Sequence, residues 1–94
     1  MSQYDNVIRM VTEHLQTQLM VPFDEGEVTL DTNLLESGYI DSYGLIELIQ
    51  QLESTYEIEF SGYDMVSPEI VSAAGVSGIV AAKLSATEEL QNSA

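Results

Sequence analysis

Ser42 follows Asp41 directly and stands before an apolar stripe at helical spacing. Asp41 in that position is expected to cap a helix by accepting from the Gly44 backbone N–H. Ser42 then takes the first helical position. Its hydroxyl faces solvent beside unsatisfied N–H groups and the positive end of the helix dipole. A phosphate esterified to that hydroxyl meets a favourable field. The alternative is that Asp-Ser is a capping pair and nothing more. No histidine lies near Ser42 in sequence, cysteine is absent, and there is no glycine-rich phosphate loop. Activation of the serine by a neighbouring base is therefore unsupported.

Other chemistry-bearing residues are sparse. His14 has no second histidine near it and reads as a surface residue rather than a metal ligand. Asp24-Glu25-Gly26-Glu27 lacks the oxygen-ligand spacing of an EF-hand loop, so no metal site is expected. Glu57 and Glu59 have the types of a carboxylate pair, but so small a chain offers no cleft for a sugar. Glu47, Glu53 and Glu57, with Asp41, are candidates for a face that docks on basic partner surfaces, or equally for an ordinary solvated helix face. Ile46 lies off the main apolar stripe, one turn from Ser42, and with Met65 and Val66 either lines a groove along a group carried on Ser42 or fills core.

The elements that must position these residues are helices. Tyr4, Ile8, Val11, Leu15 and Leu19 form one stripe over residues 4–20. Pro22 ends it, because the residue before proline is pushed out of the α region. Residues 21–40 form a long connection with Gly26 and Gly38 as breakers, and loops of this length in small domains are functional or hide a turn of structure. Asp31-Thr32-Asn33 signals a turn, after which Leu34 and Leu35 pin the loop to the core. Leu45, Leu48, Ile49, Leu52 and Tyr56 predict a second helix from Asp41 or Ser42 to near Tyr56. Gly44 in its first turn costs up to about 1 kcal/mol against alanine. Ile58-Glu59-Phe60 is an extended link with two apolar side chains turned inward. Ser67-Pro68-Glu69 opens a one-turn helix through Val71. Ser72 caps the last helix, striped by Val76, Ile79, Val80 and Leu84, and the tail after Leu84 is expected to fray. These elements predict an all-α fold. It is an antiparallel bundle of three main helices plus a short third one, with a long loop between the first two.

Size and charge set the bounds. The 94 residues suffice for one domain, here spanning about 4–84 as its core, and 45% are apolar, which fits a globular chain. Without cysteine the chain has no disulfide and no thiol of its own. No apolar run approaches ~20 residues, so no membrane span is expected, and MSQYDNVIRM lacks a signal-peptide layout. A cytoplasmic, monomeric protein is the expectation. The net charge is −14, with Arg9 and Lys83 the cationic side chains besides His14. That field repels nucleic acid and anionic lipid and favours partners with basic patches, although acidity also serves plain solubility.

The stretch LLESGYIDSYGLIELIQQLESTYEIEF, residues 34–60, resembles the attachment region of acyl and peptidyl carrier proteins. Gly38, Asp41, Ser42, Glu47, Leu48, Leu52, Glu53, Tyr56 and Ile58 fall in that family's register. Asp31-Thr32 with Leu34-Leu35 resembles its preceding loop, and Ser67-Pro68-Glu69 a frequent start of its third helix. The resemblance implies an acyl-carrier-like bundle and a covalent 4'-phosphopantetheine arm on Ser42, flanked by Asp41 and Tyr43. It implies a phosphopantetheinyl transferase that supplies base and metal. It also implies a loading ligase for acyl or aminoacyl thioesters and downstream enzymes that dock near Glu47, Glu53, Ile46 and Met65, with no catalysis by the chain itself. Fatty-acid-like, polyketide, nonribosomal peptide and D-alanyl transfer pathways all remain open. Tyr43 stands where leucine is commonest, a place where an aromatic ring can pack equally well. Gly44 stands where fatty-acid carriers often have an acid, and Asp-Ser-aromatic-Gly is more similar to D-alanyl and discrete secondary-metabolite carriers. An unmodified acidic helical adaptor for a basic partner is the rival reading.

Overall fold

The computed structural model describes residues 3–92, and of residues 87–92 the backbone alone. Its long helices are α1 (Gln3–Gln18), α2 (Ser42–Tyr56) and α4 (Ala73–Asn92), and a single turn forms α3 (Gly62–Met65). Two 3₁₀ turns, Phe23–Glu25 and Pro68–Val71, sit in the connections. No strand occurs among the described residues, and the chain is an antiparallel helical bundle in which α1 packs on both α4 and α2. No described helix is long and apolar enough to cross a membrane.

The core joins Val7, Val11 and Leu15 of α1 to Leu45, Leu48, Ile49 and Leu52 of α2 and to Val76 and Val80 of α4. Each such side chain contributes about 1.5–3 kcal/mol by leaving water. The α2 stripe is the one expected. On α1 the fully buried residue of the first turns is Val7, while Tyr4, Ile8 and Leu19 are half-buried. On α4 the small residues Ala73 and Ser77 are wholly buried beside the valines, while Ile79 and Leu84 are only half-buried. A pattern search weighted towards bulky residues passes over such positions.

Helix α1 stops short of its expected end at Met20. Met20 takes a left-handed φ of 59°, and the Val21 N–H reaches back 2.9 Å to the Leu15 carbonyl. Pro22 then leads into the first 3₁₀ turn, closed by Gly26 at φ 86°. At the other end of the chain, the segment expected to fray after Leu84 is helical as far as Asn92, and residues 93 and 94 lie outside the described residues.

Residues 61–71 differ most from expectation, because they hold two separate turns. Ser67 does cap Pro68–Val71, accepting from the Glu69 N–H, but that turn is 3₁₀. Ahead of it stands α3, made by a capping box: the Ser61 hydroxyl accepts from the Asp64 N–H at 3.0 Å and the Asp64 carboxylate accepts from the Ser61 N–H at 2.8 Å. Met65 and Val66 are therefore the last residue and the C-cap of this helix. The Ser-x-x-Asp spacing at 61–64 carried the signal.

Lys83 of α4 donates to Asp64 Oδ2 at 2.7 Å and lies 5.8 Å from the Phe60 ring centre, so it clips α3 to α4. The Lys83 ammonium, helped by the Ser61 N–H, holds the Asp64 carboxyl below its usual value. A depressed folded-state pKa adds stability that is present above the unfolded value of about 3.9 and is lost as pH falls through the folded one. Asp64→Asn is thus expected to lower stability at pH 7 by up to about 1 kcal/mol, the scale of a solvent-screened pair. In thermal melts the gap to the unsubstituted chain should close below pH 4. A gap that persists unchanged at pH 3 would exclude the ion pair as its cause.

Candidate functional site

The long loop arrives at Ser42 along a fixed route. Thr32 Oγ1 accepts from the Thr29 N–H at 2.8 Å, and Asn33 Oδ1 accepts from the Glu36 N–H at 2.8 Å. These turns present Leu34, which is buried, while Leu35 is half-buried. The Leu34 N–H donates to the Val71 carbonyl and the Ala74 N–H to the Leu30 carbonyl, each at 2.9 Å. The loop is thereby stitched to the junction of the second 3₁₀ turn and α4. Gly38 turns the chain at φ 81°, a conformation that side chains disfavour, and Ile40 drops into the core.

Asp41 then leaves the loop in extended conformation and caps α2. Its Oδ1 accepts from the Gly44 N–H at 2.8 Å, and its carbonyl accepts from the Leu45 N–H at 3.0 Å. Ser42 is the first residue of the helix. It is exposed, and its hydroxyl has no hydrogen-bond partner among the described residues. With Gly44 taken by the cap, the N–H groups of Ser42 and Tyr43 have no intrahelical acceptor and point out at the positive end of a 15-residue helix. This corner is anionophilic, open and chemically free. A phosphodiester on Ser42 Oγ fits it without displacing any internal contact.

The family model described as a phosphopantetheine attachment site matches residues 9–74. The chain belongs to this family of acyl and peptidyl carrier proteins. Neither a curated protein nor a solved structure matches the chain significantly. The match runs from the middle of α1 to the start of α4, so the long loop, α2 and α3 all fall within it. Members hold 4'-phosphopantetheine covalently on a serine, and the carrier's cofactor is accordingly 4'-phosphopantetheine.

The remaining candidate residues of the carrier are distributed unevenly. Tyr43 is 70% exposed, so its ring does not do the packing anticipated for it. One position after Ser42 on α2, it projects away from the Leu45–Leu48 stripe. Ile46 and Met65 are both exposed, at 46% and 38%, and neither fills core. Glu47 is exposed and lines a polar groove of about 350 Å³ with His14, Gln18, Gln50 and Gln51. His14 is consequently half-buried rather than solvated, with Nε2 enclosed and unpartnered among the described residues.

Glu53 does not share a face with Glu47. Six residues at ~100° each put the two roughly 120° apart around α2. The Glu53 carboxylate is half-buried and accepts from the Phe60 N–H at 2.9 Å. Its carbonyl accepts from the Ile58 N–H at 3.2 Å across Glu57, which closes the helix at a left-handed φ of 55°. Glu53 is the lock on the α2–α3 link, and Glu57 is part of the turn. Glu53→Ala leaves the Phe60 N–H without its charged acceptor and is expected to cost about 1–3 kcal/mol. At roughly 4–8 °C per kcal/mol for a chain of this size, melting should fall by at least 4 °C. A melting point unchanged within 1 °C would return Glu53 to the solvated face.

Proposed function

We propose that the chain is a discrete carrier whose arm is attached at Ser42 and whose cargo is an acyl or aminoacyl group held as a thioester. The exposed, unpartnered Ser42 hydroxyl at the capped start of α2 carries this reading. When bound, the arm supplies the thiol that a chain without cysteine lacks. The chain's own residues present and orient. Asp41 holds the first turn closed, the orphaned N–H groups of Ser42 and Tyr43 face the phosphodiester, and the transferase brings base and metal. Asp41 and Tyr43 flank the attachment point.

Glu47 and the exposed Tyr43, Ile46 and Met65 supply the surface on which a transferase, a loading ligase and downstream enzymes dock, with basic groups meeting the net charge of −14. The chain works as one domain, cytoplasmic and monomeric, and performs no catalysis itself. Gly44 in place of an acid favours aminoacyl or specialised acyl cargo over housekeeping fatty-acid elongation. The test is intact mass after incubation with coenzyme A and a promiscuous phosphopantetheinyl transferase, followed by peptide mapping. One phosphopantetheine should appear, on the peptide that contains Ser42. No gain with several transferases, or a gain mapped to another serine, overturns the reading.

A further inference from the structure

A groove of about 420 Å³ is lined by Leu19, Gly38, Tyr39, Ile40, Asp41 and Gly44, residues on either side of Ser42 in the chain among them. It falls within the range of ~300–1,000 Å³ that holds small molecules. We propose that this groove is the resting cradle of the carrier's own arm, taking the pantoyl portion next to the phosphate. The inference rests on attachment at Ser42.

Three observations carry it. The first is continuity. Asp41 both lines the groove and adjoins Ser42 in the chain, so an arm leaving Ser42 Oγ begins at the rim. The second is chemistry. The pantoyl portion presents a gem-dimethyl group, a hydroxyl and an amide. The groove offers Leu19 and Ile40 as aliphatic surface, the Tyr39 side chain, and the Asp41 carboxylate. Asp41 Oδ1 is taken by the Gly44 N–H, which leaves its other oxygen to accept. The third is the absence of a side chain at Gly44. A Cβ there would stand 3.4 Å from both Asp41 Oδ1 and Leu19 Cδ2, in ordinary contact with both walls. Alanine is therefore tolerated by the fold, while anything larger fills the floor. Gly44 costs helix stability and keeps this space open.

The experiment compares the isotope-labelled apo and holo proteins by NMR, after intact mass has shown full loading. The cradle predicts amide shift changes at Leu19, Gly38 and Tyr39 as large as those at Tyr43, with nuclear Overhauser contacts from the arm's methyl groups to Leu19. Leu19→Ala should still load fully yet lose those contacts, and Gly44→Val should do the same. Any loss of fold in the valine variant is read separately from its melting curve. Shift changes confined to residues 41–46, or appearing instead at Ile46, Met65 and Val66, overturn the cradle while leaving attachment intact. Failure to load at all overturns the attachment itself, and is visible in the mass spectrum before any spectrum of the groove is recorded.

Discussion

Ser42→Ala will take up no phosphopantetheine under conditions that modify the unsubstituted carrier to completion, and it will do so with its fold intact. The loss is expected to be total, because no other side chain can replace the oxygen that forms the phosphodiester. The fold is spared for local reasons. Ser42 is exposed, its hydroxyl bonds to nothing within the described chain, and the cap of α2 is made by Asp41. Alanine is the best helix former, and exposed substitutions away from special features stay within about 0.5 kcal/mol. Melting temperature should therefore move by no more than a few degrees, which separates lost chemistry from lost structure. Intact mass reads the first and a thermal melt the second. Full mass gain in Ser42→Ala would move the attachment point elsewhere, and the acidic adaptor would regain its standing.

Gly75→Ala is the second large effect, and here the fold itself gives way. By helix propensity the change should stabilise α4 by up to about 1 kcal/mol. Tertiary structure reverses the sign. A Cβ on Gly75 would sit inside the van der Waals envelope of the Glu69 carbonyl oxygen, 2.7 Å from the carbonyl carbon and 2.8 Å from Ser72 Oγ. The Glu69 backbone cannot yield as a flexible side chain would, and Ser72 Oγ is held in place by the Gly75 N–H. Overpacking that shifts backbone costs about 1–3 kcal/mol, which outweighs the propensity gain, and a net loss of about 2 kcal/mol is expected. That corresponds to roughly 8–16 °C in melting temperature.

The same junction receives the long loop, through Leu34 to Val71 and Ala74 to Leu30. The variant should therefore also loosen the route into Ser42 and slow modification. Gly78→Ala is the control. It lies in the same helix, with nothing within 4 Å of its added Cβ, and should stabilise the carrier modestly. Equal melting temperatures for the two variants would show that α4 does not depend on close approach at Gly75.

Several features were legible in the chain because they are local. Asp41 as cap, Ser42 at the first helical position and the Leu45–Leu48–Ile49–Leu52 face follow from hydrogen bonds and periodicity within a dozen residues. So does Ser72, whose hydroxyl accepts from the Gly75 N–H at 2.9 Å as the cap of α4. Gly26 and Gly38 marked turns, and both adopt positive φ. The α3 turn was legible too, in Ser61 and Asp64, but its four residues carry almost no apolar pattern and the Ser67-Pro68 signal beside it is louder.

What the amino-acid order determined alone is where a free hydroxyl meets a helix start, because capping is settled by neighbours three residues away. Only the tertiary structure decided what surrounds that hydroxyl. Glu53 was given a backbone N–H seven residues on to hold. Tyr43 was left bare because the helix turns it off the core. Leu19 and Tyr39 were brought to the edge of Gly44 from separate segments. Such outcomes depend on how helices and loop pack in three dimensions, and pairwise distances across the chain leave no trace in local spacing.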